Sequence, residues 1–181
     1  MNSYSDLTKK MNEQLINANQ DKINIWKEYV LFDWHWWFGV LLAIVPIILW
    51  IKFRDKNLTV VLLLAGLTSA ILSAYFDTTF LFFGLFDYRY EVTPMGPNYL
   101  PWNFCFIPVL IMFTVQLFSK INIYLKGVIL SALVSFIGLP ILSWMRIFNL
   151  INWNYFYSFI VFFTIFSLSY QMSKIAKFIT K

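Results

Sequence analysis

The chain has 181 residues, is 60% hydrophobic and 21% aromatic, and carries only 13% charged residues with a formal net charge of +5. A water-soluble domain is about half apolar and about a quarter charged, and twenty Phe with eight Trp exceed what a core of this size can bury. An ordinary soluble domain is excluded, and so is a nucleic-acid binder, because the cations sit at the ends of apolar runs and form no stripe with interleaved aromatics.

Residues 1–33 read as a polar, extracytoplasmic segment. Leu7, Met11, Leu15, Ala18, Ile25, Trp26, Tyr29 and Val30 recur at roughly helical spacing between charges, which predicts an amphipathic helix lying in the outer interface or against the bundle. A partly ordered polar tail is the alternative. No apolar h-region opens the chain, so insertion is expected to be directed by the membrane helices themselves.

Crossing the hydrocarbon takes roughly 20 apolar residues. Five stretches qualify: 34–51, 58–76, 101–119, 124–144 and 155–172. The first carries Trp34, Trp36 and Trp37 at one end and Trp50 at the other, as expected of interfacial aromatic belts. The connectors 52–57 and 120–123 are too short for anything but a turn, so those spans form helical hairpins. The fold class is an all-α integral membrane protein: a five-helix transmembrane domain over 34–181, with an outer cap at 77–100.

Direction follows from the cations. Lys52, Arg54, Lys56, Lys120, Lys126, Lys174, Lys177 and Lys181 fall on one side of a five-span chain, opposed only by Asp55. The other side holds Arg89 and Arg146 beside Asp77, Asp87 and Glu91, and an N-terminal segment in which acids offset the lysines. This places the protein in the cell membrane with its N-terminus outside and its C-terminus cytoplasmic.

Small residues should mediate helix contact in lipid. The second span offers Ala65, Ser69 and Ser73 with the neighbouring ridge Gly66, Ala70 and Ala74; the fourth offers Gly127, Ser131 and Ser135. The two faces are candidates to pair with one another or to form a homodimer. Pro46, Pro108 and Pro140 lie inside spans and should bend them. Cys105 is the only cysteine; it precludes an internal disulfide and reads as a small core hydrophobe.

The polar information gathers at the outer end. The apolar patch 80–86 is too short to cross, so it either prolongs the second span or dips back as a re-entrant piece. Beyond it, Asp87, Arg89 and Glu91 alternate with Tyr88, Tyr90 and Val92, and Pro94, Pro97 and Pro101 exclude a continuous helix. Asp33, His35, Asp77, Asp87, Arg89, Glu91 and Arg146 can therefore converge on one end of the bundle. Two readings stand: a structural set of salt bridges, with Arg89 on Asp87 or Glu91 and Arg146 on Asp77, or a ligand or ion site. His35 is either an amphipathic anchor among tryptophans or a metal- or proton-binding group. No catalytic motif is present: there is no Gly-x-Ser-x-Gly, no His-Glu-x-x-His and no phosphate-cradling glycine loop. No cofactor, metal centre or catalytic residue is assigned.

The start His35-Trp36-Trp37, the basic turn 52–56, Asp77, Tyr88-x-Tyr90-x-x-x-Pro94, Pro101-Trp102 and Pro108 together resemble an uncharacterised family of small five-pass membrane proteins from Gram-positive, often spore-forming bacteria. The resemblance implies fold and location only. A second similarity, to carotenoid-cyclising membrane subunits, rests on an Asp, a Gly, aromatics and a Pro leading into a helix. Those proteins place paired carboxylates after the proline, whereas Trp102 and Asn103 follow Pro101 here, so the acid that would protonate a polyene is missing. The expected function is a non-enzymatic binding, sensory or accessory protein acting through its outer cap. Alternatives are a small transporter or channel subunit working as an oligomer, and a membrane enzyme acting on lipid or isoprenoid. The lipid bilayer is the expected partner, with a homo-oligomer or a membrane protein beside it.

Overall fold

The computed structural model describes residues 3–96, 98–117 and 120–179, the last four by backbone alone. Pro97, residues 118–119 of the third expected span, the side chain of Lys177, and Lys181 therefore lie outside the description.

Helix α1 (Tyr4–Tyr29) starts from Ser3, whose hydroxyl accepts from the Asp6 amide while the Asp6 carboxylate accepts from the Ser3 amide. This reciprocal cap satisfies two of the donors that a helix start leaves free. Its apolar residues Leu7, Met11 and Leu15 remain exposed. Only the last turns dock, where the Trp26 indole donates to the Glu91 carbonyl at 2.8 Å.

Among the described residues, four helices are long and apolar enough to cross a membrane: Trp34–Phe53, Lys56–Phe82, Ile123–Trp144 and Tyr155–Ile175. The third expected span is shorter, an apolar helix over Pro101–Gln116. Helix α2 (Trp34–Phe53) is capped by Asp33 and buries a narrow stripe of His35, Gly39, Pro46 and Trp50, positions that recur on one helical face. Its remaining surface, including Leu41, Ile44 and Ile48, is exposed apolar side chain.

Helix α3 (Thr59–Phe82) follows a single 3-10 turn, Lys56–Leu58. It runs past the expected end at 76 to Phe82, so the first residues of the 80–86 patch prolong the helix, while Phe86 already belongs to a strand. It stops at Gly84 (φ 65°): the Gly84 amide donates to the Leu81 carbonyl and Leu85 to Phe80. This paired closure requires a left-handed residue, for which glycine carries no steric penalty. Helix α6 (Leu139–Trp144) ends the same way, with Arg146 (φ 60°) in the glycine position and amides of Arg146 and Ile147 donating to Ser143 and Leu142. Two residues after each closure a short strand begins. Strands β1 (Phe86–Tyr88) and β2 (Phe148–Leu150) emerge side by side and pair antiparallel, with Tyr88 opposite Phe148. This ribbon was not expected from the sequence.

Helix α4 (Ile107–Gln116) is preceded by a π-helical turn, Pro101–Phe106, and helix α5 (Ile123–Leu133) is joined to α6 by a second, Val134–Gly138. Each wide turn closes one residue before a proline. Ile107, before Pro108, donates to the Trp102 carbonyl, and Leu139, before Pro140, donates to Val134. A proline ring clashes with the carbonyl four residues back, and inserting one extra residue into the turn relieves that overlap. Pro46, in contrast, passes through α2 without interrupting it.

Helix α7 (Tyr155–Ile179) packs against both α3 and α5. The small-residue faces of α3 and α5 therefore do not pair extensively with each other as expected. A Cβ on Gly127 would lie 2.5 Å from the Phe166 ring of α7, and one on Gly66 2.8 Å from Met112 of α4. Ser69 and Ser131 are fully enclosed within the chain.

Candidate functional site

The strand period places every second side chain on one face. Phe86 and Tyr88 thus turn inward while Asp87 turns outward, where Asn149 across the ribbon donates to it at 3.1 Å and the Arg89 guanidinium at 3.3 Å. Tyr88, aimed inward, donates its hydroxyl to Asp77 Oδ1 at 3.0 Å. The π turn supplies the second donor. Because Ile107 bonds to Trp102 and not to Asn103, the Asn103 carbonyl is released and accepts from the Ser73 hydroxyl at 3.1 Å, while the Asn103 amide donates to Asp77 Oδ2 at 2.6 Å.

Asp77, Asn103, Tyr88, Ser73 and Ser158 bound a cavity of about 40 Å³ whose other walls are mostly aromatic, with Leu139, Val161 and Ile165 among them. One water needs roughly 10–15 Å³ by this measure, so the space admits a few waters or one small polar head group. Trp153 closes one side: its indole donates to Ser158 at 2.8 Å, and its ring centroid lies 4.6 Å from Phe80 and 5.9 Å from Phe86. The indole N–H is thus satisfied. Among the described residues no cation pairs with Asp77. Asp77 is 9% exposed, and the side-chain donors that hold its carboxylate, Tyr88 and Asn103, are both neutral.

The seven residues singled out from the sequence are placed at one end of the molecule as separate groups. Asp33 and His35 form one. The imidazole Nδ1 pairs with the Asp33 carboxylate, Nε2 lies 3.1 Å from the Met145 carbonyl, and the ring is stacked between Trp34 and Tyr90. The hydrogen bond from His35 holds the Asp33 carboxyl below its ordinary range. No cluster of three metal-ligating side chains occurs among the described residues. Asp87 and Arg89 form the second, exposed group, as one of the expected salt bridges.

Glu91 departs from expectation. The alternation that would leave it outward beside Asp87 and Arg89 lapses once the strand ends at Tyr88, and Glu91 is buried. Its partner is Lys22 of α1, at 2.6 Å. Burial pushes the Glu91 carboxyl up, and the Lys22 ammonium only partly offsets this. Burial likewise raises the Tyr88 and Tyr99 hydroxyls. Arg146 also departs: it is exposed, makes no ion pair among the described residues, and does not reach Asp77, because its left-handed backbone serves the helix closure.

Asn103, Ser158 and Trp153 were not singled out from the sequence. Pro108, five residues beyond Asn103, was the available signal, since it forces the π turn that turns Asn103 towards α3. No protein family, curated protein or solved structure matches the chain.

Proposed function

We propose that this is a multi-pass membrane protein that binds a small organic cation at Asp77, in a sensory or accessory role beneath an extracytoplasmic cap. The observation that carries the reading is a buried carboxylate in an aromatic-walled cavity with hydrogen bonds from neutral groups alone. Buried charges ordinarily have a counter-ion, and ring faces beside a carboxylate suit an ammonium group, which is attracted to both.

Five crossings with the N-terminus outside complete the proposal. The Gln116 amide donates to the Phe53 carbonyl and its side-chain oxygen accepts from the Asp55 amide. This supports a traverse of Pro101–Gln116 from the cap to the lysine-rich turns. Being short costs this segment little, because Trp102, Asn103, Ile107, Ile111 and Met112 are buried in protein, where neighbouring helices replace lipid. The lysine-rich turns then share the cytoplasmic side.

Calorimetric titration of the purified chain with alkylammonium ions, against neutral alcohols of matched size, tests the reading. The wild type takes up one ammonium ion and ignores the alcohols, and Asp77→Asn takes up neither. Equal uptake of alcohols, or undiminished ammonium binding by Asp77→Asn, would reject it. A transport role is the second reading, favoured by the two π turns, which approach one another behind the pocket wall, where a Cβ on Gly138 would lie 3.2 Å from Trp102. Ammonium flux into liposomes separates it from simple binding.

A further inference from the structure

Lys126 of α5 is a second buried charge, at the opposite end from Asp77, and the site above makes no use of it. It is 7% exposed, and no carboxylate pairs with it among the described residues. Its ammonium donates to the Thr114 carbonyl at 3.1 Å and to the Leu117 carbonyl, at the C-terminal end of α4. These carbonyls suit a cation, since a helix end leaves them unpaired and partially negative. They occupy two of three N–H donors and neutralise no full charge.

Two surface clefts of different chemistry meet at this residue. On one side lies a furrow of about 380 Å³ between α4 and α5, walled by Leu110, Phe113, Ile129, Leu130 and Leu133. From Lys126 to Leu133 it follows the helix for about 10 Å at the usual rise. On the other side lies a second, more polar cleft of about 580 Å³, where Gln116, Tyr170, Ser173 and Lys174 share the wall with Leu58, Val61, Val115 and Ile123. The Lys174 ammonium is held over the Tyr170 ring at 4.7 Å.

The geometry points to a seat for an anionic phospholipid in the leaflet next to the lysine-rich turns. One acyl chain lies in the apolar furrow, and the phosphate takes the free donor of Lys126 with Lys174 facing it from the polar cleft. An apolar furrow and a basic cleft joined at one buried ammonium match the two ends of such a lipid. Basic clefts between membrane helices are a recognised means of selecting anionic head groups.

Native mass spectrometry of the full chain, loaded with equal amounts of phosphatidylglycerol and phosphatidylcholine, tests the assignment. The wild type retains phosphatidylglycerol at least tenfold over phosphatidylcholine. Lys126→Gln abolishes the preference and Lys174→Gln weakens it. Ile129→Trp, which fills the furrow without touching a charge, also lowers retention. Equal retention of the two lipids by the wild type overturns the proposal, as does an unchanged preference in Lys126→Gln. Should Lys126→Gln not fold, unchanged preference in Lys174→Gln together with unchanged retention in Ile129→Trp overturns it equally. Inorganic phosphate displacing the lipid from the wild type, with Ile129→Trp inert, would identify a soluble-anion site and reject the lipid.

Discussion

Two carboxylates lie near one another at the capped end, and their surroundings differ in one respect. Glu91 has a lysine, brought by the last turns of α1; Asp77 has a tyrosine hydroxyl and an asparagine amide. A buried acid paired with a cation of its own chain is a structural tie between cap and helix. A buried acid held by neutral donors keeps free lone pairs and has no counter-ion from its own chain, and beside a cavity that combination invites a cation from outside. The comparison separates scaffold from site within one polar cluster.

The largest effect that would break the distinction is at Asp77 itself. Asp77→Asn should lower alkylammonium affinity by a hundredfold or more, about 2.7 kcal/mol, with little change in melting temperature, because the new amide oxygen can accept from Asn103 while its NH2 donates to the Tyr88 oxygen. Glu91→Gln should leave the affinity unchanged. If both substitutions weaken binding equally, the two acids act as one site.

Gly39 comes next. A Cβ there would sit 2.3 Å from Val92 and 2.8 Å from the Tyr99 hydroxyl, so Gly39→Ala should cost about 1–3 kcal/mol through overpacking between α2 and the cap. Thermal unfolding in detergent measures it, and a neutral outcome would show that the cap is loosely seated.

Lys22→Ala should cost about 1–2 kcal/mol, since it strands the Glu91 carboxylate while Lys22 itself is partly solvated. Hydrogen exchange along α1 should rise with it.

The smallest effects are at Arg146 and Asp33. Arg146→Gly should stabilise by up to about 1 kcal/mol by relieving the left-handed strain, an outcome opposite to that of breaking a salt bridge. The depressed Asp33 carboxyl contributes stability that is complete above its ordinary value of 3.8 and is lost as pH falls through the lower folded value. The melting difference between wild type and Asp33→Asn should therefore shrink only at strongly acid pH.

The helices were legible because apolar length is a local property: 34–51 and 124–144 needed adjustment by only a few residues. Asp77 also stood out in the sequence, as an acid at the end of an apolar run. Its partners were not. Tyr88 reaches it only because two helix closures, 62 residues apart by their left-handed positions Gly84 and Arg146, launch strands side by side. Asn103 reaches it only because Pro108 widens the preceding turn. Both depend on backbone geometry that residue spacing does not carry. Arg146 was expected to answer Asp77 on charge alone, and its left-handed backbone sends it elsewhere. The alternation extended to Glu91 failed because the strand stops three residues short.

The most direct test is a solid-state NMR distance between ¹³C-labelled Asp77 carboxyl and ¹⁵N-labelled ethylammonium on the chain in lipid bilayers. Binding at Asp77 predicts a nitrogen within about 4 Å of the carboxyl carbon, as charge-assisted hydrogen bonding requires, and loss of the signal in Asp77→Asn. Dipolar coupling to Glu91, or to no carboxylate at all, would contradict the account.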